Sequence, residues 1–260
     1  MYTTCHFLRV PHTHSTASIR YYSRCIESLK LADAIICVSE FTRSELLELT
    51  DVRPEDVFVV PHGAKGFLMG TDADLDCGEG ATLVEEPYAL CVGTYNERKN
   101  VVQLANSFVD NFPNDKMVLA FAGAEGNAAA ELRSISARNP SKIRVLGRVM
   151  NSQLQRLIVE AEMLVAPSLY EGFGLPVLDA MAYGVPVVVS NRQPFMDLAG
   201  NAAWVFDPAN SAGMSGAMMS VRKSCTLREK KINTGLELAA EFSWEQTAKK
   251  TMAAYDYALR

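Results

Sequence analysis

Residues 163–190 read MLVAPSLYEGFGLPVLDAMAYGVPVVVS. The opening run MLVAP (163–167) and the closing run VPVVVS (185–190) are short and apolar, and the segment between them has helical spacing over 176–183. Pro176 suits a first helical turn, where its missing N–H leaves no hydrogen bond unmade, and Gly184 suits the left-handed residue that follows a last turn. Strand, glycine-bearing loop, helix and strand in so short a span form the repeating unit of a parallel sheet covered by helices.

The same alternation extends in both directions. The runs YALCVG (88–93), MVLAFAG (117–123), IRVL (143–146) and AWVF (203–206) predict further strands, with helices near 99–110, 127–138, 151–161 and 192–199. Strands that are apolar throughout are buried on both faces, so helices should flank the sheet on either side. The expected fold class is therefore α/β, with one complete Rossmann-like, doubly wound parallel-sheet domain. Upstream, helical segments near 16–31 and 40–49 bracket a strand AIICVS (34–39), and a strand VFVV (57–60) leads into Pro61-His62-Gly63. Residues 66–86 are rich in Gly, Asp and Thr and read as a linker. At the other end, Ser243 and Gln246 fit a capping box that opens a helix from Trp244 to Leu259. These features divide the chain into residues 1–62, the end of a second lobe; residues 63–241, the doubly wound domain; and residues 242–260, a terminal helix.

Composition narrows the class of function. With 260 residues, of which 48% are hydrophobic and 21% charged, the chain can bury a real core. Its formal charge of −5 and its lack of a long Lys/Arg block argue against nucleic acid as a partner, while leaving room for a small anion held by a few local cations. Six cysteines (Cys5, Cys25, Cys37, Cys77, Cys91, Cys225) lie far apart with no C-x-x-C pair, which points to reduced core residues rather than a zinc site or disulfide framework. The N-terminal MYTTCHFLRVPHTH lacks the plan of a signal peptide, and no apolar stretch approaches the roughly 20 residues that span a bilayer. A cytoplasmic protein is expected.

The loop 167–176 holds the chemistry. In an open parallel sheet, ligands bind outside the carboxyl ends of the strands, and this loop joins such an end to a helix start. Gly172 and Gly174 let a ligand approach the backbone, and unpaired N–H groups with the positive end of the helix dipole favour a phosphate. Glu171 in the loop and Asp179, expected in the first helical turn, could both accept from sugar or ribose hydroxyls. An acid in a first turn is equally explained as a partner of the dipole, and glycines before a helix as a turn; these residues alone leave both readings open. No G-x-G-x-x-G follows the first strand, and P-loop and nucleophile-elbow patterns are absent.

Several segments together, in order along the chain, decide between those readings: ADAIICVSEFTRSELLE (32–48), VVPHGAKGF (59–67), YALCVGTYNERKN (88–100), the loop and helix above, VVVSNRQPFMDLAGNAAWVFDP (187–208) and FSWEQTAKK (242–250). They resemble the group 1, family 4 retaining glycosyltransferases of GT-B fold, whose donor signature sets two Glu eight positions apart around G-F-G-L-P. The resemblance implies that Glu171 contacts donor-sugar hydroxyls, that Gly172 belongs to the donor site, and that the N–H groups of Phe173, Gly174 and Leu175 face the donor's phosphate and sugar. It places Arg98 and Lys99, after the Gly93-Thr94 turn, on the diphosphate, and Arg148 and Val149 at the base. Asp179 stands where the family's second Glu grips the ribose, one methylene shorter.

The resemblance also implies a hexosyltransferase of mannosyltransferase type. It would use a UDP- or GDP-sugar and a glycan or lipid-linked acceptor, with retention of configuration and no metal or other cofactor. Such acceptors leave room for peripheral contact with the inner face of a membrane. Only the end of the family's acceptor lobe is visible in 1–62, so the rest would come from a longer chain or a partner chain; the alternative is a non-catalytic nucleotide-sugar-binding or assembly subunit. Asp72-Ala73-Asp74 spells the D-x-D of metal-dependent glycosyltransferases but follows no strand run. His6, His12, His14 and His62 carry little weight, His62 standing at the hinge where the family often has Asn.

Overall fold

The computed structural model describes residue 9 and residues 16–65 and 83–260. His6, His12, His14, Cys5, Cys77, the Asp72-Asp74 pair and most of the expected linker lie outside the described residues. The first segment comprises α1 (Thr16–Leu29), β1 (Ile35–Cys37), α2 (Glu40–Leu49) and β2 (Val57–Val59). Strands β1 and β2 form a parallel pair, Ile35 opposite Val57 and Cys37 opposite Val59. Leu29, Ile35, Cys37, Leu46 and Val57 make its own small core.

The second sheet has six strands, all parallel: β3 (Tyr88–Val92), β4 (Val118–Ala122), β5 (Ile143–Gly147), β6 (Met163–Ala166), β7 (Val187–Ser190) and β8 (Trp204–Phe206). Their order is β5-β4-β3-β6-β7-β8. The chain therefore moves outward from β3 to β5, returns across the sheet, and resumes outward on the other side of β3. The intervening helices are α3 (Val101–Asn111), α4 (Ala129–Arg138), α5 (Asn151–Glu160), α6 (Leu175–Ala182) and α7 (Gln193–Ala199). Every strand and helix expected from the apolar runs and helical spacing is present, with ends shifted by up to two residues.

Alternate strand residues supply two cores. Leu90, Ala120, Leu164, Val187 and Val189 face α5, α6 and α7. Ala89, Cys91, Leu119, Phe121, Met163, Val165 and Val188 face α3, α4 and a further helix α8 (Ser211–Lys223). That helix and α9 (Cys225–Ala240) were not expected from the sequence. Two glycines obscure the helical spacing of Met214, Met218 and Val221 in α8, although these three residues do pack into the core. In α9 only Gly235 and Ala239 are buried, too little to leave an apolar stripe. Each helix begins on a side-chain cap, Asn210 Oδ1 accepting from Gly213 N and Ser224 Oγ from Leu227 N.

The terminal helix α10 (Trp244–Ala258) returns to the first segment. Of the expected capping box, the serine half forms: Ser243 Oγ accepts from Gln246 N at 3.1 Å. Thr247 Oγ1 donates to Pro61 O at 2.7 Å, Tyr257 Oη to Asp56 Oδ1 at 2.8 Å, and the rings of Phe58 and Tyr257 meet edge to face at 5.2 Å. The hinge residue Gly63 lies so close to this helix that a Cβ there would sit 2.5 Å from Trp244 N. Cys37 and Cys91 are buried, Cys25 is half-buried and Cys225 exposed. Among the described residues no helix is long and apolar enough to cross a membrane.

Phe121 is fully buried in the middle of β4. Phe121→Ala is expected to lower stability by about 3–5 kcal/mol, read as a fall in the urea midpoint with an unchanged m-value.

Candidate functional site

Because β3 and β6 are neighbours from which the chain departs in opposite directions, a crevice opens at their carboxyl ends, the switch point at which open α/β sheets bind ligands. Two loops meet there, one after β3 and one after β6. In the first, Gly93 has φ of +138°, and a Cβ would press within 3.1 Å of Lys99 Cε, so the turn requires glycine. Thr94 is exposed. Asn96 caps a single 3₁₀ turn (Glu97–Lys99), its Oδ1 accepting from Lys99 N at 2.9 Å. That turn aims Arg98 and Lys99 at the second loop.

The second loop is held along its length. Ser190 Oγ donates to Ser168 O at 2.7 Å, Leu169 N to Arg98 O at 2.8 Å, and Arg98 Nη1 to Tyr170 O at 2.9 Å. Lys99 Nζ makes a short hydrogen bond to Glu171 Oε2, and Arg98 Nη1 lies 3.6 Å from the same oxygen. The three side chains are only 15–18% exposed. Burial alone would push the Glu171 carboxyl up, but the charges of Lys99 and Arg98, with hydrogen bonds from Lys99 and the Gly172 backbone, hold it down at about 2. The site thus keeps a carboxylate against its two cations, and Arg98 Nε makes no hydrogen bond among the described residues.

Beyond Glu171 the chain turns into α6. Gly174 is the N-cap, with φ of +110°, and a Cβ there would come within 2.9 Å of the Phe195 ring. The N–H groups of Phe173, Gly174 and Leu175 donate to no described residue, which leaves a row of donors at a helix start. The Phe173 side chain is buried, edge-on to His62 at 5.5 Å and to Phe242 at 5.8 Å. His62 therefore packs against the site loop, and burial lowers its pKa.

Asp179 corrects one expectation. Helix α6 begins at Leu175, which puts Asp179 in the second turn, not the first. It is fully buried, and its Oδ1 accepts from Lys65 N at 2.6 Å, tying α6 to the hinge. The early proline had suggested a start one residue later and an acid close to the mouth. Lys65 itself has φ of +57°, and its ammonium lies 5.4 Å above the Tyr183 ring. Arg148 and Val149 follow β5, two strands from the cluster and about 10 Å away at the usual strand spacing; Arg148 is exposed and Val149 half-buried.

Comparison with known proteins fits this arrangement. The family model for glycosyl transferases group 1 matches residues 79–237, and that for Glycosyltransferase Family 4 matches residues 1–65. The chain belongs to the group 1 glycosyltransferases. It is 32% identical to O-antigen chain mannosyltransferase B of Escherichia coli over 97% of its own length and 69% of that protein. It is also 27% identical to the MMP alpha-(1->4)-mannosyltransferase of Mycolicibacterium hassiacum, over 86% of this chain and 54% of that one. Its fold is the GT-B fold, similar to that of Anabaena HepE, solved in complex with UDP and glucose (TM-score 0.74, 15% identity, 95% of this chain and 68% of that chain). The chain thus spans 69% and 54% of the length of these two relatives.

The sequence singled out Arg98, Lys99 and Glu171, and the fold brings them together. It did not single out Ser168, Tyr170, Ser190 or Lys65, whose contacts span up to 125 residues and leave no local pattern.

Because folding lowers the Glu171 pKa, its stabilising contribution, on the order of 3 kcal/mol, is complete above about pH 5 and lost as the pH falls towards 2. Glu171→Gln should be less stable than wild type at pH 7 by a similar amount, with the gap closing between pH 5 and 2 in urea titrations run at each pH.

Proposed function

We propose that this group 1 glycosyltransferase chain carries the donor-binding half of a hexosyltransferase of mannosyltransferase type. It would move a sugar from a UDP- or GDP-sugar to a glycan or lipid-linked acceptor, with retention of configuration and without a metal. The observation that carries this reading is the Lys99–Glu171–Arg98 cluster at the β3/β6 switch point, beside unpaired N–H groups at the start of α6.

As the glycosidic bond breaks, negative charge grows on the leaving diphosphate. Arg98 and Lys99 are placed to neutralise it in a crevice where water screens little, each charged hydrogen bond contributing about 1.5–3 kcal/mol. The N–H groups of Phe173, Gly174 and Leu175 take further phosphate or sugar oxygens. Glu171, displaced from its cations by the diphosphate, turns to the sugar hydroxyls and accepts from them as a carboxylate. In a retaining transfer the acceptor hydroxyl attacks from the face that the diphosphate leaves, and a diphosphate oxygen takes its proton, so no protein base is required on this half. Arg148 and Val149, which follow β5, would meet the base. The ribose diol would compete with Lys65 N–H for Asp179, so full engagement needs the hinge to shift.

That competition favours a second reading, a nucleotide-sugar-binding or assembly subunit without transferase activity. The names of the two mannosyltransferases support the first reading, and the UDP bound to HepE supports a nucleoside diphosphate as ligand.

Isothermal titration with UDP and GDP tests the site. The wild-type chain should bind one nucleotide, and Arg98→Ala/Lys99→Ala should weaken it at least tenfold. Glu171→Gln, which removes the competing carboxylate, should bind the free nucleoside diphosphate more tightly than wild type. A folded chain that binds neither nucleotide refutes the reading.

A further inference from the structure

Helix α2 and its N-cap belong to the first segment, yet Ser39, Phe41, Thr42 and Glu45 all reach the loop after β6. Ser39, Thr42 and Glu45 recur every three residues and so share one face of the helix. Ser39 Oγ donates to Gly172 O at 2.7 Å, and Thr42 Oγ1 donates to the same oxygen at 3.1 Å. The Ser39 hydroxyl is oriented by its second duty as N-cap, accepting from Thr42 N at 3.1 Å. Two residues earlier in the loop, Tyr170 Oη donates a short hydrogen bond to Glu45, and the Phe41 ring packs on the Tyr170 ring at 5.8 Å. Arg9 Nε, at 2.9 Å, is a further donor to the Glu45 carboxylate. Thr42, Glu45 and Tyr170 are at most 7% exposed, so these bonds are shielded from competing water.

A peptide unit is planar and trans, so its C=O and N–H point in opposite directions. Fixing the Gly172 carbonyl towards α2 therefore turns the Phe173 N–H away from α2. Glycine at 172 would otherwise let this peptide rotate freely. We propose that Ser39 and Thr42 are positioning residues of the donor site: their hydroxyls lock the Gly172–Phe173 peptide so that the Phe173 N–H is presented to the phosphate of a nucleotide sugar. The inference rests on the donor-site reading above and extends it. One of the site's donors, the Phe173 N–H, is oriented from the other segment of the chain, across 133 and 130 residues of sequence.

The peptide can be watched directly. Glycine labelled with ¹³C at the carbonyl and phenylalanine labelled with ¹⁵N leave two doubly labelled peptide bonds in the chain, Gly66–Phe67 and Gly172–Phe173. Ser39→Asp/Thr42→Val keeps the helix cap and the shape at residue 42 but removes both hydroxyl donors, whereas Ser39→Thr/Thr42→Ser keeps both. The Gly172 carbonyl signal should move upfield in the first variant, as expected for a lost hydrogen bond, and stay at its wild-type position in the second. Affinity for UDP or GDP, whichever the wild type binds, should fall about tenfold in the first variant, the loss of one charge-assisted hydrogen bond, and be restored in the second. The Gly66–Phe67 signal and the far-UV circular dichroism should be the same in all three proteins.

An unmoved Gly172 signal in the first variant overturns the inference, as does a moved signal with unchanged affinity; in both cases the donor site stands. Wild-type protein that binds neither nucleotide overturns the donor-site reading and this inference with it.

Discussion

A carboxylate with 15% of its surface exposed would be costly to ionise on its own, and Glu171 is ionised because two cations surround it. The geometry that makes this possible is the reversal of strand order about β3. If β6 lay beyond β5 rather than beside β3, Lys99 and Glu171 would be separated by the width of the sheet. The same reversal opens the crevice, aims the N-terminus of α6 into it and leaves Arg98 between the two loops, bonded to both Leu169 and Tyr170. Two charges of one sign and one of the other give the site a net positive character suited to an anion in a chain whose overall charge is −5.

Around that centre the fold is rigid where the chemistry needs it to be. The loop after β6 is fixed at alternate carbonyls, 168 from β7, 170 from Arg98 and 172 from α2. Gly174 completes the turn with a conformation that other residues adopt only under strain. Contacts to the first segment recur on the far side: Phe173 on His62, Asp179 on Lys65, and α10 on β1 and β2. The crevice and the first segment are consequently joined by directional bonds at several points. A shift of that segment would be felt at the Gly172–Phe173 backbone.

Much of the fold was legible in the residues. Continuous apolar runs such as YALCV and MLVA mark strands buried on both faces, and Pro176 with Gly184 brackets α6 to within a residue or two. Helices α8 and α9 were not legible, the first because glycines break its spacing, the second because it buries almost nothing. Among the site residues, Glu171 stood out beside its loop glycines, and Arg98 and Lys99 through the family resemblance. Asp179 stood out too, but its depth in the helix did not, because one residue of uncertainty in a helix start is the difference between a crevice wall and a sealed core.

What the sequence by itself determined is therefore local: strand and helix periods, turn glycines, the cap at Ser243, and the acid and basic pair that the loops carry. Those features depend on interactions within a few residues, where φ/ψ preference and side-chain spacing suffice. Only the tertiary structure decided which strands became neighbours, that Lys99 and Glu171 share a proton-bearing contact across 72 residues, and that Ser39 and Thr42 hold a carbonyl more than 120 residues away. Such pairings are set by how helices cover both faces of a sheet and by the order in which strands join it. That is a property of the packed whole, and no window of the sequence contains it.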